Sequence, residues 1–317
     1  MEIQIVDFND CFENGQNKIE NAALTEAGMK LYETFSRDGF AYITTSVITR
    51  EDVLEIDSLS RKFFGLPTEE KTMFFNGRLG LTYLPIGTRK YHSKDIKKPD
   101  YVEGFRVPYI TCDNKWPNIP GFSEKIRKFE EKCKLIGLQV FKSLGMAMKL
   151  KDKDKFYNSH HLLNCEGNPS SLKLLHYPPV NDDVISEGVQ TRFPEHTDFG
   201  SLTFLFGDDL SGLQVKNSDG EYKNISNVPD SILINVGDEL QYWTGGRLKS
   251  TMHRVIVPDD KEKRLQSRRS IAFFFQIDND VLLDKLEFED GSIATTDGWT
   301  AMSSEQFIAK RFKETYY

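Results

Sequence analysis

From residue 171 onward the chain is written as short β-prone runs, SLKLLHYPP, SLTFLF, GLQVK, SILINVGD, HRVIV and RRSIAFFFQI, separated by Gly, Asp, Asn and Pro. Several such runs at roughly regular spacing predict a sandwich or jelly roll, not a parallel sheet with helical crossovers. The first half has a different texture. Residues 4–8 alternate apolar and polar, as a half-buried strand does. Residues 24–37 fit a helix loosely, Gly39 stops it, and residues 40–47 read as a strand. Thr49 as N-cap with Asp52 in the first turn predicts a helix over 50–64, and Pro67 with Glu69-Glu70 starts another short one. Residues 76–118 are rich in Gly, Pro and Lys and read as loops and short strands. Ile126, Phe129, Cys133, Ile136, Val140 and Leu144 recur at helical spacing and predict a long helix over 123–150, followed by the charged turn KDKDK. Residues 303–313 look helical again. The expectation is an α+β chain, with a helical N-terminal region (1–122) packed around a β-barrel core (123–317).

Bulk properties narrow the function classes. With 317 residues the chain can bury a large core, and 38% hydrophobic and 28% charged residues are ordinary for a globular protein. A net charge of −7 argues against nucleic-acid binding. The opening MEIQIVDFND has no signal-peptide pattern, and no run reaches the ~18–20 apolar residues of a membrane span. Cys11, Cys112, Cys133 and Cys165 are scattered without a CxxC pair, which reads as thiols in a reducing compartment. The expected protein is cytoplasmic and acts on a small molecule, most simply as a monomer.

His196-Thr197-Asp198 is an H-x-D. On an extended segment, side chains two apart share a face, so both groups can point into one cavity. An imidazole and a carboxylate, joined by a distant second His, form the facial triad that holds Fe(II) with open positions. By itself the pair fits a surface turn equally well. His253, 55 residues after Asp198, lies where a loop enters a strand (GGRLKSTMHRVIV); alone it reads more simply as a core or surface histidine. The other histidines compete poorly. His160 and His161 are adjacent, His92 lies in a Lys-rich loop, and His176 has no carboxylate two residues away. Arg268 and Ser270 would share a strand face with Ala272 and Phe274. An Arg carried inward on so apolar a strand calls for an anion, and a dicarboxylate would suit its bidentate fork. The alternative leaves Arg268 in the solvated stretch KEKRLQSRR.

These residues sit among blocks that resemble the Fe(II)/2-oxoglutarate-dependent dioxygenases of the isopenicillin N synthase-like type, over nearly the full length. VDF, DGFAYI, FFGLP with EEK, and WP–PGF match the family's N-terminal region. HTDFGSLTFLF, SGLQV, INVGDELQYWTGGRLKSTMHRV and RRSIAFFF follow in the family's order and spacing. The resemblance implies a double-stranded β-helix (jelly-roll) catalytic core, His196, Asp198 and His253 as iron ligands, and Arg268 and Ser270 on the distal carboxylate of 2-oxoglutarate, with Tyr177 assisting. It also implies O2 as oxidant, ascorbate as a supportive reductant, and oxidation of a metabolite by hydroxylation, desaturation or ring closure with release of succinate and CO2. Two departures stand out: Leu175 replaces a common Asn, and Thr244-Gly245-Gly246 replaces the usual TNG before the Lys-Ser pair.

Substrate contacts are read from strand parity and from where such enzymes place them. Phe274 and Lys173 would face inward, Phe199 follows Asp198, and Tyr83, Phe105 and Arg106 lie in the Lys/Arg-rich loop region with Thr82, Arg89 and Lys90. Lys173 suits a substrate carboxylate and equally suits a solvated charge at the barrel mouth. The basic loops point to a small carboxylated or amino-acid-derived substrate. Rival readings are an Fe(II) oxidase without 2-oxoglutarate, in which Arg268 and Ser270 hold the substrate's own carboxylate, a non-catalytic ligand-binding protein on the same fold, and a zinc lyase or isomerase.

Overall fold

The computed structural model describes residues 3–12, 21–75, 83–87, 100–107, 116–186, 189, 191–207, 212–294 and 299–316. Strand β1 (Ile5–Asp7) pairs in parallel with β2 (Phe40–Thr44), and helix α1 (Asn21–Arg37) runs between them. Helix α2 (Arg50–Phe64) begins at a capping box. Asp52 N donates to Thr49 Oγ1 and Thr49 N donates to the Asp52 carboxylate, satisfying two otherwise orphaned donors. The short α3 (Thr68–Thr72) follows. Strands β3 (Tyr83–Leu84) and β4 (Glu103–Arg106) form a hairpin-like pair, and α4 (Phe122–Ala147) is the long helix. All six of its expected apolar positions are buried.

The β-prone half supplies β5 (Ser171–Tyr177), β6 (Thr191–His196), β7 (Leu202–Phe206), β8 (Leu213–Lys216), β9 (Tyr222–Asn224), β10 (Ser231–Val236), β11 (His253–Ile256) and β12 (Arg268–Phe275). Short helices α5 (Lys155–Asn158), α6 (Asp182–Ser186), α7 (Asp238–Trp243) and α8 (Lys261–Arg264) lie in the connections, and α9 (Ser304–Tyr316) closes the chain. Among the described residues the strands form a large sheet, ordered β1-β2-β10-β7-β12-β5-β4-β3, and a small one, ordered β6-β11-β8-β9. Every pairing but β1 with β2 is antiparallel. This is the double-stranded β-helix of the expected α+β class. Residues before 122 contribute β1 to β4 to the same large sheet, so the N-terminal region is built into the barrel wall.

The large sheet has two cores. Its outer face packs Ala41, Ile43, Leu172, Leu174, Phe204, Ile234, Ile271, Phe273 and Phe275 in one cluster with residues of α1, α2 and α4. Its inner face meets the small sheet through Phe40, Leu175, Tyr177, Phe193, Leu213, Val215, Val255 and Ala272. Pro194 interrupts β6 without harm because β6 is the edge of the small sheet, where a missing N–H breaks no ladder. No helix among the described residues is long and apolar enough to cross a membrane. Cys11, Cys133 and Cys165 are free thiols, and Cys112 lies outside the described residues.

Candidate active site

His196 is the last residue of β6 and His253 the first of β11, and the two are direct cross-strand partners. Asp198 sits in the turn just beyond β6, so tertiary pairing and a turn, not a continuous strand, bring the H-x-D pair onto one cavity. The three residues offer ligand atoms that all lie within 4.8 Å of one another. Nε2 of His196 is 3.8 Å and Nε2 of His253 3.9 Å from Asp198 Oδ1. Each Nδ1 lies on a backbone carbonyl, Pro194 O at 2.9 Å and Thr251 O at 3.0 Å. A carbonyl only accepts, so Nδ1 carries the proton and Nε2 presents its lone pair to the shared space.

The other carboxylate oxygen of Asp198 is anchored. Thr203 Oγ1 donates to Oδ2 at 2.6 Å and Asn235 Nδ2 donates at 2.8 Å. Burial works to raise this carboxyl, but the positive charge that the His253 and His196 rings carry when protonated, together with the two hydrogen bonds, outweighs it and holds the carboxyl below the usual carboxylate range. Thr203 and Asn235 are themselves cross-strand partners on β7 and β10. Sequence reasoning missed both; the available signal was a polar residue on the inward face within each of the apolar runs SLTFLF and SILINV. The turn is clamped from behind, because Asp238 N donates to Asp198 O at 2.7 Å. Gly200 is required there, since a Cβ on it would lie 2.2 Å from the Phe275 carbonyl oxygen.

The second constellation lies on the large sheet. Arg268 and Ser270 are 6% and 2% exposed, which removes the reading of Arg268 as part of a solvated basic stretch. The outward residue is Arg269, whose Nε pairs with Asp57 at 2.7 Å. Arg268 Nε and Nη1 and Ser270 Oγ are buried without a hydrogen-bond partner among the described residues. Three adjacent orphaned polar atoms on an apolar strand are what a bound carboxylate would satisfy. Tyr177 pairs with Arg268 across the strands, and the guanidinium carbon lies 4.7 Å from its ring centroid. Leu175 stands opposite Ser270 and gives an apolar wall where a polar contact was in question.

Both constellations line one cavity of about 260 Å³ between the sheets, close to the low end of small-molecule sites at roughly 300–1,000 Å³. Lys173, Phe199, Phe274 and Arg106 line it as expected. Lys173 Nζ lies 4.4 Å over the Phe274 ring, and Arg106 donates to Ser171 Oγ and Pro169 O. Tyr83 and Phe105 do not line it. They are paired across β3 and β4 on the outer face, where Phe105 packs on Phe63 and Tyr83 donates to Glu103. Strand alternation sends their neighbours Leu84 and Arg106 inward instead. Thr82, Arg89, Lys90 and His92 lie outside the described residues. The C-terminal helix adds an unexpected wall, Ile308 and Phe312, with Phe312 edge-on to Phe199. Two further described histidines are held by packing and pairing away from the cavity. His160 is enclosed against Phe141, and burial pushes its pKa down to about 3; His176 pairs with Glu103 on the outer face.

Two family models match: the 2OG-Fe(II) oxygenase superfamily over residues 159–277, and the non-haem dioxygenase in morphine synthesis N-terminal family over residues 3–119. A 2-oxoglutarate-Fe(II) type oxidoreductase of Metarhizium rileyi is 31% identical, covering 88% of this chain and 82% of its own. A proline hydroxylase of Petromyces alliaceus is 28% identical over the whole of both chains. Among solved structures, the full-length Neurospora crassa protein in complex with alpha-KG (2-oxoglutarate) superposes with a TM-score of 0.80 at 27% identity, covering 98% of this chain and 96% of that one.

Proposed function

We propose, from the premise that this chain belongs to the 2-oxoglutarate–Fe(II) oxygenase superfamily, that His196, Asp198 and His253 hold its iron and that Arg268, Ser270 and Tyr177 hold its co-substrate. The protein is a 2-oxoglutarate-dependent dioxygenase that oxidises a small molecule. When bound, Fe(II) with 2-oxoglutarate and O2 supplies the oxidising power, the co-substrate leaving as succinate and CO2.

The donor set fits the metal: two neutral imidazole nitrogens and one carboxylate oxygen on one side of a cavity, with the opposite side open to ligands. The protein's own work is orientation. Pro194 O and Thr251 O fix the tautomers of the two histidines, and Asn235 with Thr203 fixes which oxygen Asp198 presents. Arg268 and Ser270 would receive the distal carboxylate of 2-oxoglutarate, and the Tyr177 ring keeps the guanidinium in place. Leu175, Leu205, Phe193 and Ala272 line the chamber with apolar surface and exclude water around the reacting groups. The net charge of −7 and the free thiols support a cytoplasmic enzyme that works without nucleic acid.

The observation that carries this reading is the trio of orphaned buried atoms of Arg268 and Ser270, two residues that line the same cavity as the His/Asp/His cluster. Succinate formation from 2-oxoglutarate by the Fe(II)-loaded protein, with ascorbate and air, tests it. We expect succinate from the wild type and none from Asp198→Ala. Equal succinate from both would remove the iron assignment.

A further inference from the structure

The iron turn and the C-terminal helix are joined through one side chain. Helix α7 lies between them, and its first two amides close the turn. Asp238 N donates to Asp198 O at 2.7 Å, and Glu239 N lies on the carbonyls of Phe199 and Gly200, both at 3.1 Å. A Cβ on Gly237 would lie 2.1 Å from the Gly200 carbonyl oxygen, so nothing separates α7 from the turn. On its other side α7 carries α9. Ser304 Oγ donates to the Glu239 carboxylate at 2.5 Å, and the Tyr242 and Phe307 rings lie 5.0 Å apart. Asp238 is where the two sides meet. A single oxygen, Oδ2, accepts from Thr197 Oγ1 at 2.9 Å, from Arg311 Nε at 2.9 Å and from Arg311 Nη2 at 2.7 Å. Thr197 stands between His196 and Asp198, and Arg311 precedes Phe312, the α9 ring that meets Phe199 at the cavity. Burial works against the Arg311 charge, but the Asp238 and Glu314 carboxylates outweigh it and hold the guanidinium above its ordinary value. Without Arg311, the nearly buried Asp238 carboxylate keeps one side-chain donor among the described residues, Thr197.

We infer that Asp238 is a positioning residue that couples α9 to the metal. Its carboxylate sets the Ile308 and Phe312 wall of the cavity together with the ligand geometry of His196 and Asp198. This rests on the assignment of His196, Asp198 and His253 to the iron. Coupling is reciprocal, so occupying the metal site tightens α9 and loosening α9 weakens the metal. Side chains that touch neither member of such a pair change it by a factor of roughly 2 to 30.

The test uses the full chain and Co(II), a divalent stand-in for Fe(II). Two quantities are read: Co(II) affinity by calorimetry, and amide hydrogen exchange in α9 with and without Co(II). Helix α2, packed on the outer face of the large sheet, is the reference. In the wild type Co(II) is expected to slow exchange in α9 at least about twofold more than in α2. Arg311→Met is expected to weaken Co(II) binding about threefold or more and to erase that excess protection. Arg311→Lys should restore most of the affinity. Glu314→Gln removes only the other partner of Arg311 and should leave the affinity within about twofold of the wild type. Unchanged Co(II) affinity in folded Arg311→Met, or equal slowing of α2 and α9 in the wild type, would overturn the coupling while the metal assignment stands. The wild-type exchange comparison decides the case if Arg311→Met does not fold. Asp198→Ala should bind no Co(II) at the site; affinity equal to the wild type would remove the metal assignment and the proposal with it.

Discussion

On the outer face of β12, Ile271, Phe273 and Phe275 are at most 3% exposed, and Phe275 meets the rings of Phe141, Phe204 and Phe273. On the inner face of the same strand Arg268 and Ser270 are buried almost as deeply, yet three of their polar atoms have no partner among the described residues. One face is close-packed and satisfied, as a core that only has to be stable should be. The other carries desolvated groups that a well-packed hydrophobic surface would improve on for stability. A single strand thus separates what holds the protein together from what it acts with.

Four variants test that division, in descending order of expected effect. Phe273→Ala leaves a cavity in the outer core and should remove about 3–5 kcal/mol of stability, on the order of 10 °C in Tm by calorimetry. Arg268→Met, on the opposite face, should weaken 2-oxoglutarate binding at least about 100-fold while Tm of the ligand-free protein holds or rises. A fall in Tm matching Phe273→Ala would break the comparison. Asn235→Ala frees one side of Asp198 and should weaken Fe(II) binding roughly 10- to 100-fold, read from the Fe(II) dependence of succinate formation. An unchanged Fe(II) requirement would mean that Thr203 alone fixes the carboxylate.

The smallest effect concerns an exception on the structural side. Glu239 in α7 is fully buried, receives Ser304 Oγ and Ile277 N, and burial pushes its pKa up to about 8 from an ordinary 4.5. A folded-state value above the unfolded one means the fold favours the protonated form. Its stability contribution is complete below about pH 4.5 and declines as pH rises towards 8. Between pH 6.5 and 7.5 the wild type should lose about 1 kcal/mol, roughly 2–4 °C in Tm, and Glu239→Gln should lose less. Parallel Tm curves for the two proteins would show that Glu239 is ionised in the fold.

Much of the site was legible along the chain because period-two alternation is local. Arg268, Ser270 and Phe274 share a face whatever the strand pairs with, and Tyr177, Leu175 and Lys173 do likewise. Alternation gives the relative face of two residues but not which face is the cavity. Of the three expected contacts on β3 and β4, Arg106 therefore lines the cavity while Tyr83 and Phe105 point outward, and Leu84 points inward in place of Tyr83. The ends of α2 were equally local, written in Thr49 and Asp52.

Sequence by itself determined the class of chemistry, through the blocks around His196, Asp198, His253, Arg268 and Ser270 that resemble the dioxygenase family, and the fold class, through strand length and spacing. Only the tertiary structure decided the company those residues keep. The pairing of His196 with His253, of Asn235 with Thr203 beneath Asp198, and of Arg106 with Lys173 depends on cross-strand register between segments far apart in the chain. Register is set by the burial of whole sheet faces at once, and no local pattern records which distant residue will stand opposite.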